Sequence, residues 1–355
     1  MDALIETLAK LSQLDGPPGY EDEVRKFIAR EAGKYTTEVE TDVIGNVYAT
    51  VHGDSGAQKI VVDAHMDEVG FIIKFIESRG FLRFEPLGGI DARILPGKRV
   101  KIKGANGPLR GTLGSKPPHI LSAEESNKVP LLSDLFIDIG ANTDKEARAF
   151  GAAVGSIATF EEPFHELGNG SRILGKAFDD RAGCTVGLAV LEALSKNKPH
   201  MNVVFAFTAQ EELGMRGAEV AVNHVRPDVG IALETTVAAD VPDAKQRDWI
   251  TVLGSGASIR VLDSSMIAQR PMVEYLRKTA EKNGITYQLQ LARAGGTDAA
   301  KIHLWGTGVP TGLISTPCRY LHGPSCLLST DDLRSVMKLT EAAIRGIESK
   351  EQFMM

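Results

Sequence analysis

The sequence lacks most of the features that would set it apart from ordinary soluble globular proteins. It has only three cysteines in 355 residues, Cys184, Cys318 and Cys326, with no CxxC spacing. Neither a disulfide framework nor a thiolate metal site is expected, and free thiols fit a reducing, cytoplasmic setting. No uninterrupted apolar run reaches the roughly 18 residues needed to cross a bilayer, so a membrane is not expected as a partner. The opening "MDALIETLAKLSQL" carries acidic residues inside its apolar pattern and no cationic start, which argues against a signal peptide. Basic clusters are missing too. With a net charge of −6 and no arginine run, nucleic acid is not an expected partner. There is no internal repeat and no low-complexity tract.

What is present reads as two textures. Leu4, Ile5, Leu8 and Leu11 fall at helical spacing, and Val24, Phe27 and Ile28 mark a second helix. "TTEVETDVIGNVYATVHG" alternates like a hairpin that turns near Ile44–Gly45–Asn46, and "KIVVDAH" is a short buried strand. Residues 70–162 then break into short β-rich pieces punctuated by glycine and proline, with no helix longer than "DKEARAFG". They predict an inserted small β-barrel or sandwich. Strand and helix patterns alternate again afterwards: a helix from near Arg181, then "MNVVFAFTA", "MRGAEVAVNHV" and "VGIALETT". The expected fold is α/β, a mostly parallel sheet flanked by helices over 1–69 and 163–355, with the insert at 70–162. The closing "EQFMM" is expected to fray.

Chemistry collects where the α/β strands stop. "VVDAHMD" ends in His65 and Asp67, "VVFAFTAQEE" in Glu211 and Glu212, and "GIALE" in Glu234. Asp179 and Asp180 precede a helix, and "RYLH" delivers His322. Each alone has a plain explanation: a core histidine, a helix cap, a solvated first turn. Together they converge, because open α/β sheets bind ligands at the carboxyl ends of their strands. Two imidazoles with carboxylates and no thiolate suit zinc, cobalt or manganese. A pair of metals about 3.5–4 Å apart needs a bridging carboxylate, which Asp179 can supply. His65 and Glu234 would complete one side; His322 and a glutamate of the pair would complete the other. Asp67 can orient the His65 imidazole. The remaining glutamate is free to act as a base, and spacing alone does not say which one it is.

Six motifs in order, "AHMDEVG", "KAFDDRAG", "AQEELG", "LETT", "GGTDAA" and "RYLHGP", resemble the tetrahedral aminopeptidases. These dinuclear metallopeptidases have a zinc-exopeptidase-like fold, and their family includes glutamyl aminopeptidases. The resemblance implies metal ligands at His65, Asp179, Glu212, Glu234 and His322, with Glu211 as general base and Asp67 supporting the histidine. It also implies a cis bond at Asp179–Asp180 and substrate contacts at Thr297 and Asp298. Many relatives carry aspartate where Glu234 stands, which bears on the choice between zinc and cobalt. The implied activity is removal of N-terminal residues from peptides by a metal-bridging water. The implied assembly is dimers formed through the insert that build a hollow dodecamer. Two other readings use the same residues. Some relatives carry an endoglucanase label, but glycosidase acids flank a sugar from opposite sides and need no converging histidines. A deacylase or dipeptidase on the same dinuclear scaffold is the other.

Overall fold

A computed structural model describes residues 2–54, 56–293 and 295–354 of the chain. Its central strand is Lys59–His65, in which six of seven residues are buried. It pairs in parallel with Asn202–Thr208 on one side and Val229–Val237 on the other. Val229–Val237 in turn pairs in parallel with Thr311–Arg319. Buried on both faces, such strands read as continuous apolar runs.

These four strands form the centre of an eleven-stranded sheet. Outward from them the pairing turns antiparallel. Val47–Val51 and Val39–Thr41 form one edge. Cys326–Ser329, Arg172–Gly175 and His165–Leu167 form the other. Ala257–Leu262 branches off Thr311–Arg319 and carries Tyr287–Leu291 beside it. The Val39–Val51 and His165–Gly175 pairs are antiparallel because their connections are short, since a tight hairpin cannot return a strand in parallel. The Val39–Val51 hairpin turns at Gly45, whose φ of +105° favours glycine.

The main helices flank this sheet. In Phe178–Lys196 the backbone leaves helical geometry at Asp179 and Asp180, so regular turns begin at Arg181. The Asp179–Asp180 peptide is cis. No described helix is long and apolar enough to cross a membrane.

Six further strands close into a small barrel with its own core: Gly70–Ile76, Leu82–Leu87, Phe136–Asp138, Gly107–Gly114, Arg99–Gly104 and Ile157–Phe160. Phe71 anchors it, edge-on to Phe84 at 4.8 Å and to Phe160 at 5.5 Å. Among the described residues the longest helix of this region is Asp144–Phe150, capped by the Thr143 hydroxyl. The chain enters the barrel directly after His65–Val69, so one end of the barrel lies against the ends of the sheet strands.

The chain end departs from expectation. Lys350–Phe353 form a turn, and Phe353 is buried with its ring 5.3 Å from Tyr275. Burying one aromatic ring there is enough to hold the turn; Met355 lies outside the described residues.

Candidate metal centre

The sheet brings the residues expected from the sequence to one crevice. His65 is the last residue of its strand and is buried. Its Nε2 lies 3.2 Å from Asp179 Oδ1 and 3.7 Å from Glu234 Oε2. On the other side, His322 Nε2 lies 3.1 Å from Asp179 Oδ2 and 3.2 Å from Glu212 Oε1. Asp179 thus stands between the two imidazoles, one oxygen toward each. Donor atoms of His65, Asp179 and Glu234, and those of Asp179, Glu212 and His322, gather within 4.8 Å of one another. His65, Glu211 and Glu212 form a third such group, so proximity alone does not divide the work between the two glutamates.

The donors are also oriented. His322 Nδ1 lies 2.7 Å from the Gly89 carbonyl, which makes Nδ1 the N–H nitrogen and leaves Nε2 toward the carboxylates. His65 Nδ1 faces Asp67 Oδ1 at 3.4 Å. Asp67 is fully buried, and its two oxygens also accept the Glu211 and Glu212 N–H groups at 3.0 and 3.1 Å. Asp180 turns away and accepts from the Gly183 N–H at 3.0 Å, the helix-capping role that was one plain reading of that pair.

Electrostatics show what the cluster lacks. Among the described residues, no Lys or Arg lies within ion-pair distance of Asp179, Glu211, Glu212 or Glu234. Burial pushes the Glu211 carboxyl up to about 10, with Glu234, Asp298 and Glu212 adding to the rise against His65. Burial likewise holds Glu234 well above the usual carboxylate range. For His322 burial works downward, but its bonds to Asp179 and Glu212 outweigh it and push the imidazole up to about 12. Asp179 is held well below its usual value because both histidines offset its burial. Carboxylates gathered this closely, with no Lys or Arg beside them, are costly to desolvate. The donor set, oxygen and imidazole nitrogen only, fits hard or borderline divalent cations.

A cavity of about 320 Å³ opens over these groups. Thr297 lines it; Asp298 instead sits behind the wall, its Oδ2 accepting the Thr208 hydroxyl at 2.6 Å. Sequence reasoning missed two residues of the opposite wall. Arg260 and Gln290 are register partners on adjacent strands, both buried and both on the cavity. Arg260 Nη1 donates to Asp263 at 3.2 Å and Nη2 to the Thr235 carbonyl at 3.4 Å, while its buried Nε has no partner among the described residues. An arginine inside the apolar strand "ASIRVL" was the available signal. Gly89 was missed as well, since a carbonyl contributed by the barrel region leaves no mark in a motif.

A sheet that aims buried imidazoles and carboxylates at one open cavity defines a hydrolase-type scaffold. The chain matches the M42 glutamyl aminopeptidase family over residues 45–339 and belongs to that family, so it is a hydrolase acting as an aminopeptidase. A candidate aminopeptidase of Acetivibrio thermocellus is 35% identical, over 96% of this chain and 98% of that protein. A glutamyl aminopeptidase of Lactococcus lactis subsp. cremoris (98% and 98% covered) and a lysyl aminopeptidase of Pyrococcus furiosus (97% and 97%) are each 30% identical. Among solved structures, an aminopeptidase of the archaeon Desulfurococcus kamchatkensis superposes with TM-score 0.93 at 39% identity, covering 99% of this chain and 96% of that one. The TET aminopeptidase of Thaumarchaeota archaeon SCGC AB-539-E09 reaches 0.96 at 35%, covering 99% of both. The Pyrococcus horikoshii TET1 peptidase, which can assemble into a tetrahedron or a large octahedral shell, reaches 0.86 at 35%, covering 97% and 100%.

Proposed function

We propose that this protein is a metal-dependent aminopeptidase that removes N-terminal residues from peptides, with Glu211 as its general base. One observation carries the assignment of Glu211. Asp179, Glu212 and Glu234 each face an imidazole, whereas the Glu211 carboxylate lines the cavity with no Lys, Arg or His nitrogen within ion-pair distance among the described residues. His65, Asp179 and Glu234 would hold one divalent cation, and Asp179, Glu212 and His322 the second. Zinc or cobalt suits this set best, and manganese fits the same donors. When bound, such a pair makes water a nucleophile at neutral pH and polarises the scissile carbonyl.

The chain's own residues do the rest. Glu211 takes a proton from the attacking water and hands it to the departing amine nitrogen. Asp67 holds the His65 ring and, through two N–H groups, the turn that carries Glu211 and Glu212. Thr297 lies where the substrate passes. Arg260, paired with Asp263, and its neighbour Gln290 line the cavity, which favours an N-terminal residue with an acidic side chain. The two named relatives, glutamyl and lysyl, differ in that preference. In this reading residues 70–162 form an inserted domain that pairs subunits, 1–69 and 163–355 form the catalytic domain, and the enzyme is a cytoplasmic homo-oligomer built like its TET relatives.

Turnover of a panel of aminoacyl chromogenic amides, with and without chelator, tests the reading. Activity should vanish with chelator and return with zinc or cobalt. Glu211→Gln should keep both metals and lose about 10²–10⁴ in kcat, while Glu212→Gln should lose one metal. Full turnover by Glu211→Gln, or chelator-resistant cleavage of a cellulose oligomer, would overturn it.

A further inference from the structure

The turn bearing Glu211 and Glu212 is closed at its neck by a side chain from outside the crevice. Gly217 N–H donates to Ala209 O at 2.9 Å, which brings the two ends of the segment together. Two further groups of these same residues meet one buried carboxamide. Ala209 N–H donates to Asn46 Oδ1 at 2.9 Å, and Asn46 Nδ2 donates to Gly217 O at 3.0 Å. The amide takes the place of a neighbouring peptide strand. Gly217 leaves no room for a Cβ, which would collide with Ala209 and with Asn46 Oδ1.

The carboxamide cannot turn over. Its Nδ2 also faces Asp42 Oδ2 at 2.8 Å and the Tyr48 hydroxyl at 3.0 Å. Tyr48 donates to the same Asp42 oxygen at 2.7 Å, and Asp42 Oδ1 accepts the Gly45 and Asn46 N–H groups, each at 2.9 Å. A flipped amide would set its oxygen against the Asp42 carboxylate and its NH₂ against the Ala209 N–H. Asn46 is fully buried, so water cannot take over these bonds. Beyond the neck, Glu21 Oε1 accepts the Gln210 N–H at 3.1 Å and Asp67 takes the next two N–H groups. The ends and the tip of the turn are therefore held by separate side chains.

We infer that Asn46 is a positioning residue for catalysis: its carboxamide fixes the neck of the 209–217 turn and so sets where Glu211 stands relative to the cations and the scissile bond. The inference rests on the reading of Glu211 and Glu212 given above. A base displaced by a fraction of an ångström loses rate while substrate binding, made by other walls of the cavity, is spared.

The test compares Asn46→Ala, Asn46→Ser and Val47→Ala, each loaded with zinc or cobalt. Val47, the next residue, is buried in the core and does not line the cavity, so its variant reports lost packing beside the amide. Melting temperature, bound metal per chain, kcat and KM are measured for each. Asn46→Ala should lose about 10–100-fold in kcat with KM within about threefold and metal content unchanged. Val47→Ala should melt earlier and keep its kcat. If Asn46→Ala does not fold, Asn46→Ser serves, since its short neutral hydroxyl cannot bridge Ala209 and Gly217 and sets no charge beside Asp42; it should lose at least about tenfold in kcat. Parent-like kcat in the Asn46 variant that folds overturns the inference. So does an equal kcat loss in Val47→Ala at matched stability, or a loss that tracks missing metal with normal kcat per occupied site. An inactive Glu211→Gln beside an active Asn46→Ala would sink this inference alone, whereas an active Glu211→Gln would sink the reading of the site and this inference with it.

Discussion

Loading the metal-free protein with divalent cations should release at least one proton per chain at pH 7. The count comes from hydrogen-bond geometry. His322 Nδ1 must carry a hydrogen, because it faces the Gly89 carbonyl at 2.7 Å. Its Nε2 lies 3.1 and 3.2 Å from oxygens of Asp179 and Glu212, contacts that attract only if Nε2 is protonated as well. Metal-free His322 is therefore an imidazolium, pushed up to about 12 by those two bonds against its burial. His65, whose Nε2 lies 3.2 Å from Asp179 Oδ1, is likewise held well above its usual value despite burial and adds to the count. So do Glu211, raised to about 10 by burial and its acidic neighbours, and Glu234, held well above the usual carboxylate range by burial.

The sign follows directly. His322, raised to about 12 in the metal-free fold, is protonated at neutral pH, but a ligand nitrogen must offer a lone pair, so binding expels the proton and affinity rises with pH. Each proton is worth about tenfold in affinity per pH unit, or ~1.4 kcal/mol. Calorimetric titration of zinc or cobalt into metal-free protein, in two buffers of different ionisation enthalpy, reads the proton count from the difference in heat. Fewer than one proton per chain would refute the argument, since both imidazoles would then be neutral before the metal arrives.

Two further perturbations probe other parts of the molecule. Arg260→Met should lower kcat/KM for glutamyl amides relative to leucyl amides by about 10–100-fold, the worth of one or two charge-assisted hydrogen bonds; an unchanged ratio would remove Arg260 from substrate selection. Lys176→Met removes the ammonium 2.7 Å from the buried Glu68, leaving it Arg181 at 3.6 Å and the Gly16 N–H, and should cost about 1.5–3 kcal/mol in denaturant unfolding. Adding Glu68→Gln should recover part of that loss, and no recovery would mean the lysine acts through packing alone.

Much of this was determined along the chain. Apolar runs such as "KIVVDAH" and "VGIALETT" have one stable use, as parallel strands buried on both faces, and the glycine-punctuated stretch between them matches a small barrel. Because a strand's last residue lies at a known edge of the sheet, the polar residues closing each run were legible as one cluster. The antiparallel margins of the sheet, the buried chain end at Phe353 and the retreat of Asp298 behind the cavity wall were not, since they depend on which surfaces happen to meet.

Only the tertiary structure decided how the cluster is held. Asp179 comes between His65 and His322 although they are separated by 257 positions along the chain (322 − 65). The Gly89 carbonyl fixes one tautomer, Arg260 and Gln290 meet through strand register, and Asn46 closes a turn 163 residues away. Periodicity and spacing describe what a segment does with its own backbone. A hydrogen bond between distant segments needs the packed core to bring its two ends within 3 Å, and nothing in either segment alone records that it will.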